Sequence, residues 1–305
     1  MSFRIRPEKR ANQQIRRLAG KRLARAAEAL AQGSAEGVHD ARKCLKQTRA
    51  LLRLVHAPLG RKAFSDYNGQ VRDIARQLSD QRDAAALVES WDVLNRLDPR
   101  RFADSPALRA VRERLCSRIP DEHQPGQSHG ELRAQLDGLC VQAVHWRLAG
   151  KGFALFEAGV RRTYGDGRRA LKVAQRQRSD DTLHQWRKRV KDHGYQTRLL
   201  QQAWPALFET RQASLDALAD CLGQDHDLSV MQQLLAHQPA LFGDPDTQAR
   251  VAAGIAEHRD ALYAEALLLG RRLYADKPGA LVKRWRRLWR IAQQAAGQEL
   301  SRVGA

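Results

Sequence analysis

The chain has 305 residues, 43% of them apolar, which is enough for a sizeable core. It carries 53 Lys and Arg against 34 Asp and Glu, a formal charge of +19, so its field favours polyanions: nucleic acid, acidic membrane surfaces, acidic proteins or inorganic polyphosphate. The four Cys form no Cys-x-x-Cys pair, no run of 18 apolar residues is available to span a membrane, and the N-terminus lacks the apolar core of a signal peptide, so a reduced, cytoplasmic protein is expected.

Helix signals dominate from end to end: Ala, Leu, Arg, Gln and Glu fill long stretches with apolar residues three and four apart, and runs of alternating Val, Ile and Thr are absent. The first helical stretch carries Arg16 and Arg17 in "IRRLAG" and breaks near Gly33–Gly37. The next reads "VHDARKCLKQTRALLRL" over 38–54 and stops near Pro58–Gly60; "LSDQRDAAAL" from Leu78 follows, then a break near Asp98–Arg101. The segment "PDEHQPGQSHG" over 120–130 is the most loop-like of the chain and divides it, giving expected halves of 1–122 and 129–305. Beyond a break at Gly150 comes "VRRTYG" with Arg161 and Arg162, and Gly165–Gly167 predicts another break. "LHQWRKRVKDHGYQTRL" then occupies 183–199, Pro205 punctuates, "LGQDHDLSVM" starts at Leu222, and breaks fall at Pro239–Pro245 and Pro278–Gly279 before a last basic helix.

Three of these blocks recur in the same order. His39 and His184 are 145 residues apart, as are Arg16-Arg17 and Arg161-Arg162, and "LSDQRDAAAL" returns as "LGQDHDLSVM" at an offset of 144. The chain is therefore predicted to be all-α, built of two related halves. Setting His39 at zero on a helix of about 100° per residue, Arg42, Lys46, Arg49 and Arg53 share its arc of roughly 80°. Val38, Ala41, Leu45 and Leu52 fill the neighbouring arc. In the second copy His184, Arg187, Lys191 and Arg198 form the stripe beside Leu183, Trp186, Val190 and Thr197, with Gly194 where the first copy has Arg49. Lys43 and Lys188 stand four residues after each His.

A basic face on one helix is ordinarily just solvated. Here it occurs twice at one offset, includes His, and has no interleaved Glu to neutralise it, which favours anion binding. Fourteen residues at 1.5 Å span about 21 Å, a length that suits a linear chain of phosphates better than one phosphate. An imidazole among such cations should also have its pKa lowered. Arg16, Arg17, Arg161 and Arg162, upstream of the two stripes, extend the basic surface.

The paired motifs, with the following "LSDQRDAAAL" and "LGQDHDLSVM", resemble the signature of the conserved histidine α-helical domain, the CHAD family, over essentially the whole chain. The resemblance implies two four-helix bundles related by a pseudo-twofold axis, basic helices lining a central groove or pore, and binding of inorganic polyphosphate, with a cytoplasmic place at polyphosphate granules. Two departures stand out: Gly194 replaces a cation, and His226 stands where the first copy has Arg82. The family's usual companion, a triphosphate-tunnel catalytic domain, has no room in this chain.

Other constellations carry less. Asp225, His226 and Asp227 look like metal ligands, but the repeat puts Arg82 at the His position, so an Asp acting as a helix cap, or Asp83 and Asp227 pairing with stripe cations, is the expectation. In the last helix Leu281, Trp285, Leu288 and Ala292 share a face opposite Lys283, Arg286, Arg287 and Arg290, as in a final bundle helix with a solvated basic side. No phosphate-binding glycine loop, no clustered carboxylates for Mg²⁺ and no paired nucleophile are visible, and Cys44 is matched by Arg189 in the second copy. The expectation is a binding protein without metal or cofactor. Its rivals are a nucleic-acid binder using the same charge, though no helix-turn-helix, zinc or RNA-recognition signature is present, and a phosphate-ester hydrolase.

Overall fold

The computed structural model describes residues 3–78, 83–98, 101–102, 105–118 and 129–303. Among them every regular element is helical. In chain order the α-helices are α1 (Ala11–Ala31), α2 (Ala35–Leu54), a single turn α3 (His56–Leu59), α4 (Arg61–Gln77), α5 (Asp83–Leu97), α6 (Pro106–Cys116), α7 (His129–Val144), α8 (Ala154–Arg176), α9 (Asp180–Leu199), α10 (Pro205–His237), α11 (Pro245–Leu273) and α12 (Pro278–Val303), with short 3-10 turns at Gln201–Ala203 and Pro239–Phe242. Arg82 and nearly all of the 120–130 segment lie outside the described residues.

The two motif helices begin alike. Ser34 accepts from the Gly37 amide at 3.1 Å at the start of α2, and Ser179 from the Thr182 amide at 3.2 Å at the start of α9. These are N-caps, satisfying amide groups that a helix start leaves without partners. Both caps and both helix bounds are 145 residues apart, so the repeat extends to where the helices start and stop. Val38, Ala41, Leu45 and Leu52 are buried in α2, and Leu183, Trp186, Val190 and Thr197 in α9, as the helical periodicity predicts.

Packing follows chain order. α1 lies between α2 and α7, and α2 also meets α4; α9 lies between α8 and α10, α10 packs on α11, and α12 lies along α8. The halves join where α2 meets α8 and α9, and again where α5 packs on α10. At the first junction α8 approaches so closely that a Cβ on Gly159 would collide with the Leu54 carbonyl of α2. The first residues tie across the same region: the Ile5 amide donates to the Leu199 carbonyl at 2.8 Å, and Phe3 sets its ring edge-on to Tyr195.

Three expectations need correcting. Gly165 and Gly167 do not break the chain; they lie inside α8, where Gly167 leaves space for the Tyr274 ring. Gly37 lies in the first turn of α2, not in a break, because the Ser34 cap starts the helix before it. Asp225 and Asp227 are not caps, since α10 runs unbroken through them. Asp225 is buried and instead accepts from Arg259 at 3.1 Å, and Arg259 also donates to Asp180 at 2.5 Å.

The glycines make the α2–α8 contact testable. Gly159→Ala should destabilise the protein by about 1–3 kcal/mol through overpacking. Gly138→Ala, at an α7 position with nothing within 4 Å of the added Cβ, should stabilise it by about 0.5–1 kcal/mol through helix propensity. Urea midpoints of the two variants check the opposite signs.

Candidate functional site

α2 and α9 pass each other in opposite directions. Arg53, near the end of α2, meets Asp192 in the middle of α9, while Gln47 of α2 and Arg198 near the end of α9 line one cavity. The two basic stripes therefore approach through their C-terminal ends, and their His ends point away from each other.

On one side of the crossing the Arg53 guanidinium donates to an Asp192 carboxylate oxygen at 2.8 Å, and Arg189 reaches the other oxygen at 3.4 Å. Arg49 lies beside them, donating to Asn68 of α4 at 3.1 Å. Arg72 of α4 is close enough to act on Arg49, and Arg162 and Asp166 of α8 on Arg53. Arg49 is held down to about 10, first by burial and then by repulsion from Arg53, with Asp192 opposing and Arg72 and Arg189 adding repulsion. Arg53 is lowered too, by burial first, with Asp192 opposing it. Burial pushes the Asp192 carboxyl up, against the pull of Arg53, Arg189 and Arg49. Cations outnumber carboxylates here at a half-buried seam, where charge is poorly screened.

On the other side a cavity of about 700 Å³ is lined by Arg4, Arg22, Arg25, Lys43 and Arg198, with Asp40, Glu209 and Asp216 among them. Arg198 pairs with Asp216 at 3.5 Å and Arg25 with Asp40 at 3.5 Å. Cys44 borders this cavity, and burial raises its thiol pKa despite Arg22 and Arg25, the opposite of an activated nucleophile.

His184, Arg187 and Lys191 lie along the side of α9 that meets α10, with Lys188 exposed beside them. The His184 ring lies 4.7 Å from that of His226, centroid to centroid, and Arg187 abuts Gly223. Asp227 sits near Arg187 and Lys191, and its carboxyl is raised by burial first. His184 is lowered to about 4, chiefly by burial and then by Lys188, His226 and Arg187, so charge repulsion is the lesser cause. His39, Arg42 and Lys46 lie between the start and the middle of α2, with His39 and Lys46 exposed. Arg161 and Arg162 border a further cavity of about 770 Å³ with Arg169 and the start of α12. Arg16 donates to the Asn12 carbonyl within α1 at 3.3 Å, and Arg17 is exposed on the same helix.

A family model for the CHAD domain matches residues 11–236. The chain belongs to the CHAD family. A search of curated proteins gives no match.

In this CHAD protein, the two motif helices of the sequence are α2 and α9, and both fall within the matched segment. Sequence spacing missed Arg189, Asp192, Asn68 and Arg72 at one mouth of the crossing, and Arg4, Arg22 and Arg25 at the other. Arg189 lies about 140° round the helix from His184, outside the stripe, and the repeat matches it to Cys44. Among the described residues no group of three or more His, Cys, Asp or Glu is placed to hold a metal, and no helix is long and apolar enough to cross a membrane.

The lowered His184 fixes a pH dependence. Its folded pKa of about 4 lies below the 6.5 of an ordinary imidazole, so between these values the unfolded chain binds the extra proton. Stability should therefore fall as pH drops from about 6.5 towards 4, with no contribution from His184 above that window. His193, fully buried and held well below its ordinary value by burial and by Arg211, acts in the same direction. Urea midpoints at pH 7.5 and pH 5 should show the loss, and His184→Gln should reduce it.

Proposed function

We propose that this protein binds inorganic polyphosphate without transforming it, the α2–α9 crossing supplying the central contacts. The observation that carries the reading is the gathering of Arg49, Arg53 and Arg189 around the buried Asp192 carboxylate, with Arg72 acting on Arg49 and Arg162 on Arg53. Guanidinium groups pressed together at a half-buried seam repel one another and gain from an anion that bridges them. Arg198 and Lys43 continue the cationic surface at the other mouth. A flexible chain of phosphates can follow cations from one helix to the next around the crossing; a duplex is too stiff and wide to enter a seam between packed helices. The CHAD family match supports the same ligand class, and a location at polyphosphate granules goes with it.

Binding should weaken steeply with salt, on the order of a thousandfold between 50 and 200 mM, as for nucleic-acid binders with about six phosphate contacts. Arg49→Gln with Arg189→Gln should cost about a hundredfold in affinity, two charge-assisted contacts at about 1.5 kcal/mol each. Arg287→Gln with Arg290→Gln, the same charge change on the exposed face of α12, should cost little. Fluorescence-anisotropy competition between long-chain polyphosphate and duplex DNA checks the ligand. Equal losses from the two double variants would mean a diffuse field, and tighter binding of duplex DNA would give the site to nucleic acid.

A further inference from the structure

We propose that Asp192 is the specificity-determining residue of this crossing: a tethered carboxylate that occupies Arg53 and Arg189, must be displaced by the ligand, and so selects long phosphate chains over short ones. The inference rests on the polyphosphate reading above.

Each oxygen of Asp192 engages a different guanidinium, Arg53 at 2.8 Å and Arg189 at 3.4 Å. These are the contacts that an incoming phosphate would make, because carboxylate and phosphate both offer oxygen acceptors suited to the guanidinium fork. Asp192 is covalently part of α9, so it competes at a high effective concentration. A short phosphate that displaced it would gain two cations and leave a buried carboxylate facing a new anion, which is strongly unfavourable. A long chain differs. Further attachments at cations around the crossing hold it locally while it competes, and the cost of displacing Asp192 is spread over many contacts. Selection then arises from a repulsive element in the site as much as from its attractive ones.

The repeat argues that this carboxylate is not there for packing. The matching position of the first copy is Gln47, also buried, which lines a cavity together with Arg198 of α9 and with Lys43 one turn back on its own helix. A neutral amide therefore fills one side of the crossing, and its side-chain oxygen has no hydrogen-bond partner. At this position of the repeat the carboxylate stands on the side where Arg49, Arg53 and Arg189 crowd together, whereas the carboxylates of the other mouth, Asp40, Glu209 and Asp216, come from other positions.

The test measures affinity for sodium tripolyphosphate and for long-chain polyphosphate in the wild type, Asp192→Asn and Gln47→Asp, with circular dichroism confirming the fold. In Asp192→Asn tripolyphosphate should bind about tenfold tighter or more, and the long chain should change by much less, so that the long-to-short ratio falls; multivalent attachment accounts for that difference. Gln47→Asp adds a carboxylate at the other mouth and should raise the ratio. A purely structural Asp192 predicts instead that both ligands weaken together and the ratio stays put, which would overturn the inference and leave polyphosphate binding intact. If Asp192→Asn does not fold, Gln47→Asp decides alone: an unchanged or lower ratio sinks the idea. Failure of the wild type to bind the long chain at all would remove the polyphosphate reading itself.

Discussion

The close approach of α2 to α8 and α9 is the constraint on which the rest of the molecule depends. Gly159 lets the α8 backbone reach the end of α2, and Asp192 of α9 meets Arg53 at the same place. The end of one motif helix is thereby wedged against the other half of the chain. Arginine side chains that would stand apart in water on separate helices are brought within one another's field, partly out of solvent. Holding like charges there costs folding energy, and the α2–α8 contact, the Ser34 and Ser179 caps and the buried tryptophans are what offset it.

The two mouths of the crossing differ in how that charge is balanced. Around Arg49 and Arg53 the buried carboxylate is Asp192, while Asp166 is engaged with Arg169 and Asp73 with Arg72. Across the crossing, Arg198 and Arg25 each have an aspartate of their own, and the cavity stays roomy. The second half keeps a further cationic group, His184 to Lys191, folded against α10, with the His184 and His226 rings in contact at its base. The positive field is thus divided into patches of unequal strength and is not one uniform lining.

Much of this was legible in the sequence. The 3.6-residue spacing named the core face of both motif helices, and the 145-residue offset gave the correspondence of α2 with α9. Arg49, Arg53, Lys43 and Arg198 were all picked out by spacing from the two His. Crossing geometry was not legible. Arg189 faces away from the stripe of its own helix and matters only because α2 arrives on that side, and Asp192 looks from the sequence like one acid in a basic run. Spacing also treated Gly165 and Gly167 as chain breakers, whereas they are places where neighbours press against α8. Local pattern encodes which face of a helix is apolar; which polar face meets which is decided by contacts between residues more than a hundred positions apart.

The opening residues of the chain have a part in this out of proportion to their number. Ile5 is fully buried and gives its amide to the last carbonyl of α9, Phe3 lies under the Arg22 guanidinium and against Tyr195, and Phe3 and Arg4 both border the cavity that holds Arg198. This short segment is a strap across one mouth of the crossing, fastened to α1 on one side and α9 on the other. Its few residues form part of the wall of that cavity, so a segment from the start of the chain shapes a site otherwise built from its middle.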